Sequence, residues 1–326
     1  MGSLMASGAR AVAMRQTSSE IIAELNALRV ANGLPKVAQN RAWDNACHLH
    51  DLYMSDNGVE THDELPGKPG YTPAGAFAGR NADLALTSWS DGDPWASAPL
   101  HLVQLMSPAL RVVGAYQYTD RRGRTWTCTT TWPGYEAGKI MRARSQKMYS
   151  YPGNGQHGVP TEMVAYEAPD VPNGWVGLPT TDSGYRGEVT GPFVYLYWAG
   201  PAQPANTCYT VPNVKLCVDD VSLVPSPVSA QLIAPTGKVV GSRLISQGVV
   251  RKAGHGGLLP PGAAMLVAVK PLVPRTTYTV KVHFALDRAG ADLCPWGVGA
   301  LHLSPTWCLP KYPPFSARLH FTTAGA

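Results

Sequence analysis

Apolar residues recur along this chain with two periods, and the change from one to the other divides it. From Thr17 the spacing is helical: Thr17-Ser18-Ser19-Glu20 reads as a capping box, Ile21, Leu25 and Leu28 follow at i, i+4 and i+7, and Asn32-Gly33 with Pro35 beyond supplies a stop. A second helix starts near Asn40 and sets Trp43, Cys47, His50 and Met54 on one face before Asn57-Gly58 ends it, so His50 should point inward. Gly67 to Gly79 reads as a Gly/Pro loop and 100–106 as a further helix. Segments 112–118 and 125–132 alternate like paired strands around an Arg-Gly turn. Past about residue 136 the helical period is gone. Short runs rich in β-formers, such as 193–198, 229–233, 265–269, 278–284 and 317–322, alternate between turns.

Composition agrees with a folded chain of two parts. Charged residues make up 15% and hydrophobic ones 44% of 326 residues, which leaves ample material for cores and excludes a disordered tail. One core stops growing near ~250–300 residues, so two domains are expected. We place the first over 17–135, a polar connecting segment over 136–148, and a β-domain over 149–326. The expected class is α+β: an N-terminal α-β-α sandwich, then an all-β immunoglobulin-like sandwich.

The net charge of +5 is spread along the chain, and its densest cluster, Asp120-Arg121-Arg122-Gly123-Arg124, reads as an exposed hairpin tip. Nucleic acid is therefore not an expected partner. No stretch approaches the ~18 apolar residues of a bilayer span, so no transmembrane segment is expected, and Met1 to Thr17 carries no apolar export signal.

The six cysteines include two local pairs, Cys208/Cys217 and Cys294/Cys308, without the spacing of zinc sites, and we read each as a disulfide. Cys47 and Cys128 are either a third bridge, fastening a helix to a strand, or two buried thiols. Three bridges would imply an oxidising compartment.

Several N-terminal motifs, in order, resemble the CAP superfamily (cysteine-rich secretory proteins, antigen 5 and pathogenesis-related proteins) in its bacterial form. They are Leu25-Asn26-Ala27-Leu28-Arg29 with Asn32-Gly33-Leu34-Pro35; Trp43 through His50 to Tyr53-Met54; Thr61-His62-Asp63-Glu64; Gly70-Tyr71-Thr72-Pro73-Ala74-Gly75; and Trp95-Ala96-Ser97-Ala98-Pro99-Leu100-His101, followed by Leu105-Met106-Ser107-Pro108 and Val113-Gly114. The resemblance covers 17–135 and implies the three-layer α-β-α fold. Tyr151 to Pro160, Pro271 to Val280 and His320-Phe321-Thr322-Thr323 are similar to the opening and closing strands of bacterial immunoglobulin-like modules.

In the CAP family a cleft holds two histidines and two acidic residues that in some members bind a divalent metal. Carried over by motif, the histidines are His62 and His101, and the acidic contributors are Glu64 or the pair Asp91 and Asp93. Such donors suit zinc. The family's Gly-Glu-Asn motif has no acid here, where the stretch runs Gly75-Ala76-Phe77-Ala78-Gly79-Arg80-Asn81. The alternative for His62 and His101 is a pair of hydrogen-bonded residues holding loops together. No certain cofactor follows, and Ser97 and Cys47 lack the context of a nucleophile. The resemblance implies a secreted or cell-envelope binding protein, non-catalytic, whose partner is a lipid, a glycan or an envelope protein. The competing reading is a metal-dependent hydrolase using the same cleft, with Glu64 or Asp91 as base.

Overall fold

Both N-terminal helices form where their caps place them. In the computed structural model, which describes residues 16–91, 93–135, 147–178, 186–199, 208–211, 214–217, 225–253, 258–260, 262–286 and 315–325, helix α1 runs Ser18–Ala31. At its start the Thr17 hydroxyl accepts from Glu20 N, while Thr17 N donates to Glu20 Oε2. It ends at Gly33, φ +71°, where Gly33 N bonds to Val30 O and Leu34 N to Arg29 O, the paired C-terminal closure that glycine permits.

Strand β1 (Ala38–Gln39) follows, then α2 (Arg41–Asn57), α3 (Pro73–Arg80), β2 (Ala82–Ala85), α4 (Pro99–Leu105), β3 (Val112–Thr119) and β4 (Thr125–Thr130). The remainder is β-rich: β5 (Lys147–Tyr151), β6 (Gln156–Val159), β7 (Met163–Tyr166), the short α5 (Asn173–Val176), β8 (Arg186–Thr190), β9 (Phe193–Ala199), β10 (Cys208–Val211), β11 (Val214–Cys217), β12 (Pro225–Ile233), β13 (Val239–Val240), β14 (Ser242–Ser246), α6 (Gln247–Lys252), β15 (Ala263–Ala268), β16 (Thr277–Leu286) and β17 (Phe315–Thr323). Among the described residues no helix is long and apolar enough to cross a membrane.

The chain forms two compact units. The first takes the chain up to Ala23 with Arg41–Pro94 and Gly114–Thr130. In it β4 lies between β2 and the Gly114–Thr119 part of β3, antiparallel to both, and α2 packs on β4. Cys47 of α2 is bonded to Cys128 of β4, with Cα atoms 5.3 Å apart, inside a core that includes Met54, Leu84 and Trp126. The bridge, rather than two buried thiols, is the arrangement found.

Helix α3 corrects the loop expected over Gly67 to Gly79. Thr72 caps it by accepting from Gly75 N, and Pro73 begins it, as suits a first turn. Its glycines, which read as loop formers in sequence, are contact points. A Cβ on Gly75 would lie 2.3 Å from Glu64 Oε1, and one on Gly79 would lie 2.3 Å from His50 Cε1.

The second unit takes Glu24–Asn40, Trp95–Val113 and Thr131–Ala326. Here β1 pairs in parallel with Val112 and Val113. Two sheets, ordered β13-β12-β16-β17-β6 and β14-β15-β9-β5, bury one shared core containing Val194, Leu196, Trp198, Leu266, Val280, Phe284, Leu319 and Phe321. Each such side chain contributes on the order of 1.5–3 kcal/mol.

The N-terminal segments of this unit are tied to its strands by polar bonds. Tyr197 OH donates to Val103 O at 3.0 Å, Gly153 N to Asn32 Oδ1 at 3.0 Å and Tyr166 N to Ser97 O at 2.7 Å. The buried Arg29 guanidinium donates to the carbonyls of Pro35, Leu105, Ser107 and Leu110. Burial holds its pKa down at about 10.

The hairpin β10-β11 sets Cys208 opposite Cys217 in register, with side chains outside the described residues. Cys294 and Cys308 also lie outside them, as does the expected connecting segment apart from Lys147 and Met148, which begin β5.

Candidate functional site

Helix α4 begins with a defect that a distant residue repairs. Its N-cap is Ala98, which has no side chain to receive the first-turn N–H groups. Glu167, just past β7, takes that place. Leu100 N donates to its two oxygens at 3.0 and 2.9 Å, and His101 N reaches Oε2 at 3.3 Å. The His101 ring joins them, with Nδ1 2.8 Å from Glu167 Oε2. Burial raises the Glu167 carboxyl above the usual carboxylate range, against the pull of the His101 ring and of these N–H groups. The His101 side chain is 12% exposed and that of Glu167 1%. Sequence reasoning missed Glu167, which lies outside the N-terminal motifs. The legible signal was Ala98, a helix start lacking its own cap.

His62 is exposed and its Nδ1 is 2.7 Å from Gly79 O. A carbonyl only accepts, so Nδ1 carries a proton and donates it to Gly79 O. Two residues on, Glu64 is fully buried. Its Oε1 is 2.9 Å from His50 Nδ1 and its Oε2 accepts from Thr72 N at 2.9 Å, while His50 Nε2 is 2.8 Å from Thr61 O. Nε2 therefore donates to Thr61 O, and a proton lies between Nδ1 and Oε1. This buried pair joins α2, the 61–64 loop and the start of α3. His50 was expected to face inward, but its partner was not foreseen. Asp91 is exposed at the end of a 3-10 turn over Trp89–Asp91, and Asp93 is half-buried.

An imidazole whose Nδ1 is fixed by a carbonyl or carboxylate has the orientation seen in metal ligands. A zinc site also needs three or four donors. Among the described residues no three His, Cys, Asp or Glu side chains are gathered around one point, so these residues do not fit a zinc site.

Within the second unit a cavity of about 350 Å³ opens beside α4. Ala96, Ser97 and Leu102 line it together with mostly apolar residues of the β-rich part, among them Val159, Met163, Val164 and Phe193; Gln156 and Glu162 are the amide and the carboxylate of a lining that also carries the Ser97, Tyr151 and Tyr195 hydroxyls. Its size is at the small end of ligand sites, which hold ligands by apolar walls and orient them with a few polar groups. Elsewhere, in the first unit, a larger and more polar cavity lies between the end of α2 and the β3-β4 turn.

Residues 22–130 match the family described as the cysteine-rich secretory protein family, CAP. That match supports a CAP-domain protein. A solved structure similar to the chain is an outer surface protein from Borrelia burgdorferi, at 15% sequence identity and TM-score 0.30, covering 36% of this chain and 95% of that one. No curated protein matches the chain.

Proposed function

We propose that this chain is a secreted or cell-envelope CAP-domain protein that binds a ligand without turning it over, and that the cavity beside α4 is where the ligand sits. The two facing sheets are read as an enlarged immunoglobulin-like sandwich that completes the cavity on the strand side. The observation that carries the reading is the composition of the cavity wall. Leu102 and Ala96 come from the CAP-like segment and Val164, Phe193 and Tyr195 from the β-rich part, all within one unit.

The ligand this wall suits is an acyl chain with a neutral or cationic head. Its body would remove apolar surface from water, which supplies affinity at about 25 cal/mol per Å². Exposed Glu162, the acidic residue of the lining, would repel a free carboxylate. His62 and His101 act as braces in this account, each with Nδ1 committed to the chain's own oxygens. The bridge between Cys47 and Cys128 supports an oxidising compartment.

Titration calorimetry with a short-chain monoacylglycerol, and with the fatty acid of equal length, tests the proposal. Saturable one-to-one binding of the neutral amphiphile is expected, weaker for the acid and abolished by Val164→Trp, which fills the cavity from a half-buried strand position. Absence of saturable binding, or binding unchanged in Val164→Trp, would overturn it.

A further inference from the structure

The cluster at the β3-β4 turn has an internal order that its sequence does not show. Asp120 is its organiser: the carboxylate accepts from Arg122 N at 2.8 Å, Arg124 N at 3.0 Å, Arg124 Nε at 2.8 Å and Trp126 Nε1 at 3.4 Å. Desolvation is the largest single influence and pushes its pKa up, but these hydrogen bonds together outweigh it and hold the carboxyl below its ordinary value. Arg124 also lies over the Trp126 ring, 4.8 Å from its centroid. Asp120 and Arg124 thus neutralise one another in a fixed turn. Arg121 and Arg122 remain exposed, and among the described residues neither is in an ion pair.

Arg121 and Arg122, with the paired Asp120 and Arg124, line a cavity of about 520 Å³ whose lining also includes Ser55 and Asp56 at the end of α2 and Tyr118. A bare polyanion fits this lining poorly, because Asp56 contributes a negative charge to the same space. A group that is anionic at one end and hydroxylated at the other fits it well. Two guanidinium groups take the charged end in bidentate fashion, while Asp56 and Ser55 accept from or donate to hydroxyls and Tyr118 offers an aromatic face. The volume lies in the range of small-ligand sites.

We propose that this cavity binds a sugar unit bearing one anionic group, a phosphate, sulfate or carboxylate, at a site separate from the apolar cavity beside α4.

Calorimetric titration of the full chain with glucose 6-phosphate, glucose and inorganic phosphate tests this, with an acidic polysaccharide as a further arm to distinguish a free sugar from a glycan. The sugar phosphate is expected to bind at low salt at least about tenfold tighter than either glucose or phosphate, and to weaken as salt rises. Binding of the polysaccharide in addition identifies a glycan, and its failure a free sugar; each retains the acidic-sugar assignment. Arg121→Ala with Arg122→Ala, two exposed changes, should lower sugar-phosphate affinity about tenfold or more, while the melting temperature holds. Asp56→Asn should weaken the sugar phosphate and strengthen inorganic phosphate. Equal affinity for phosphate and sugar phosphate, or sugar-phosphate binding unaffected by the double arginine change, would overturn the proposal.

Discussion

Gly79 and His50 are in contact so close that the glycine has no room for a methyl group: a Cβ there would stand 2.3 Å from His50 Cε1 and 2.6 Å from His62 O. His50 cannot retreat, since both of its ring nitrogens are engaged, by Glu64 and by Thr61 O. Gly79→Ala sets two effects against one another. Alanine in a helix gains about 1 kcal/mol over glycine, whereas forcing extra volume into a packed site costs about 1–3 kcal/mol and more where the neighbours are held. We expect the second to win, leaving Gly79→Ala less stable by about 1–2 kcal/mol in urea denaturation once the helix-propensity gain is subtracted. A neutral or stabilising result would show that the His50 and Glu64 pair is not rigid.

Asp51 on α2 is fully buried, and among the described residues neither oxygen has a hydrogen-bond partner. Burial pushes its pKa well above the usual carboxylate value. A carboxyl whose folded pKa is raised binds more protons folded than unfolded, so its contribution is intact below the unfolded pKa and declines as pH rises toward the folded one. Asp51→Asn removes that titration. The variant should gain on the parent protein progressively as pH rises above the ordinary carboxylate value of 3.8, as read from denaturation midpoints at each pH. A gap that stays constant with pH would contradict the assignment.

The bridge between Cys47 and Cys128 spans 81 residues. Closing a loop of that length in the unfolded chain is worth about 4.5 kcal/mol in the chain-entropy account. Reduction, or Cys47→Ala with Cys128→Ala, should lower the guanidinium midpoint accordingly, and a change below about 1 kcal/mol would argue that the reduced, unfolded chain keeps residual structure.

Replacing Glu167 tests whether a distant carboxylate stands in for the missing cap of α4. Glu167→Ala leaves the Leu100 and His101 N–H groups without their acceptor, at a cost of about 1–3 kcal/mol. The expected signature is faster amide hydrogen exchange at Leu100 and His101 in the variant. Unchanged protection there would mean that α4 does not need Glu167.

What the sequence conveyed was local. The capping box at Thr17, the stop at Gly33 and the 3.6-residue spacing of Cys47, His50 and Met54 act within one or two turns, and α1 and α2 follow them. The alternation at 112–118 and 125–132 became β3 and β4 for the same reason. Helix α3 was hidden because Gly75 and Gly79 count against helix in any local scale, and their value comes only from Glu64 and His50 pressing on them. Glu167 was hidden because its contacts with His101 cross 66 positions of chain. Of the candidate residues, the structure shows His62 hydrogen-bonded to a carbonyl, Glu64 to a histidine and a backbone N–H, and His101 to a glutamate; spacing alone specified none of these partners.

The central claim is that an apolar ligand enters the cavity beside α4. The most direct measurement is methyl-selective NMR of the full chain titrated with a short-chain monoacylglycerol. Saturating shift changes confined to Leu102, Val159, Met163 and Val164, with the methyls of Leu84 and Met54 unmoved, are the result expected. Shifts spread over the surface, or none at those four residues, would contradict it.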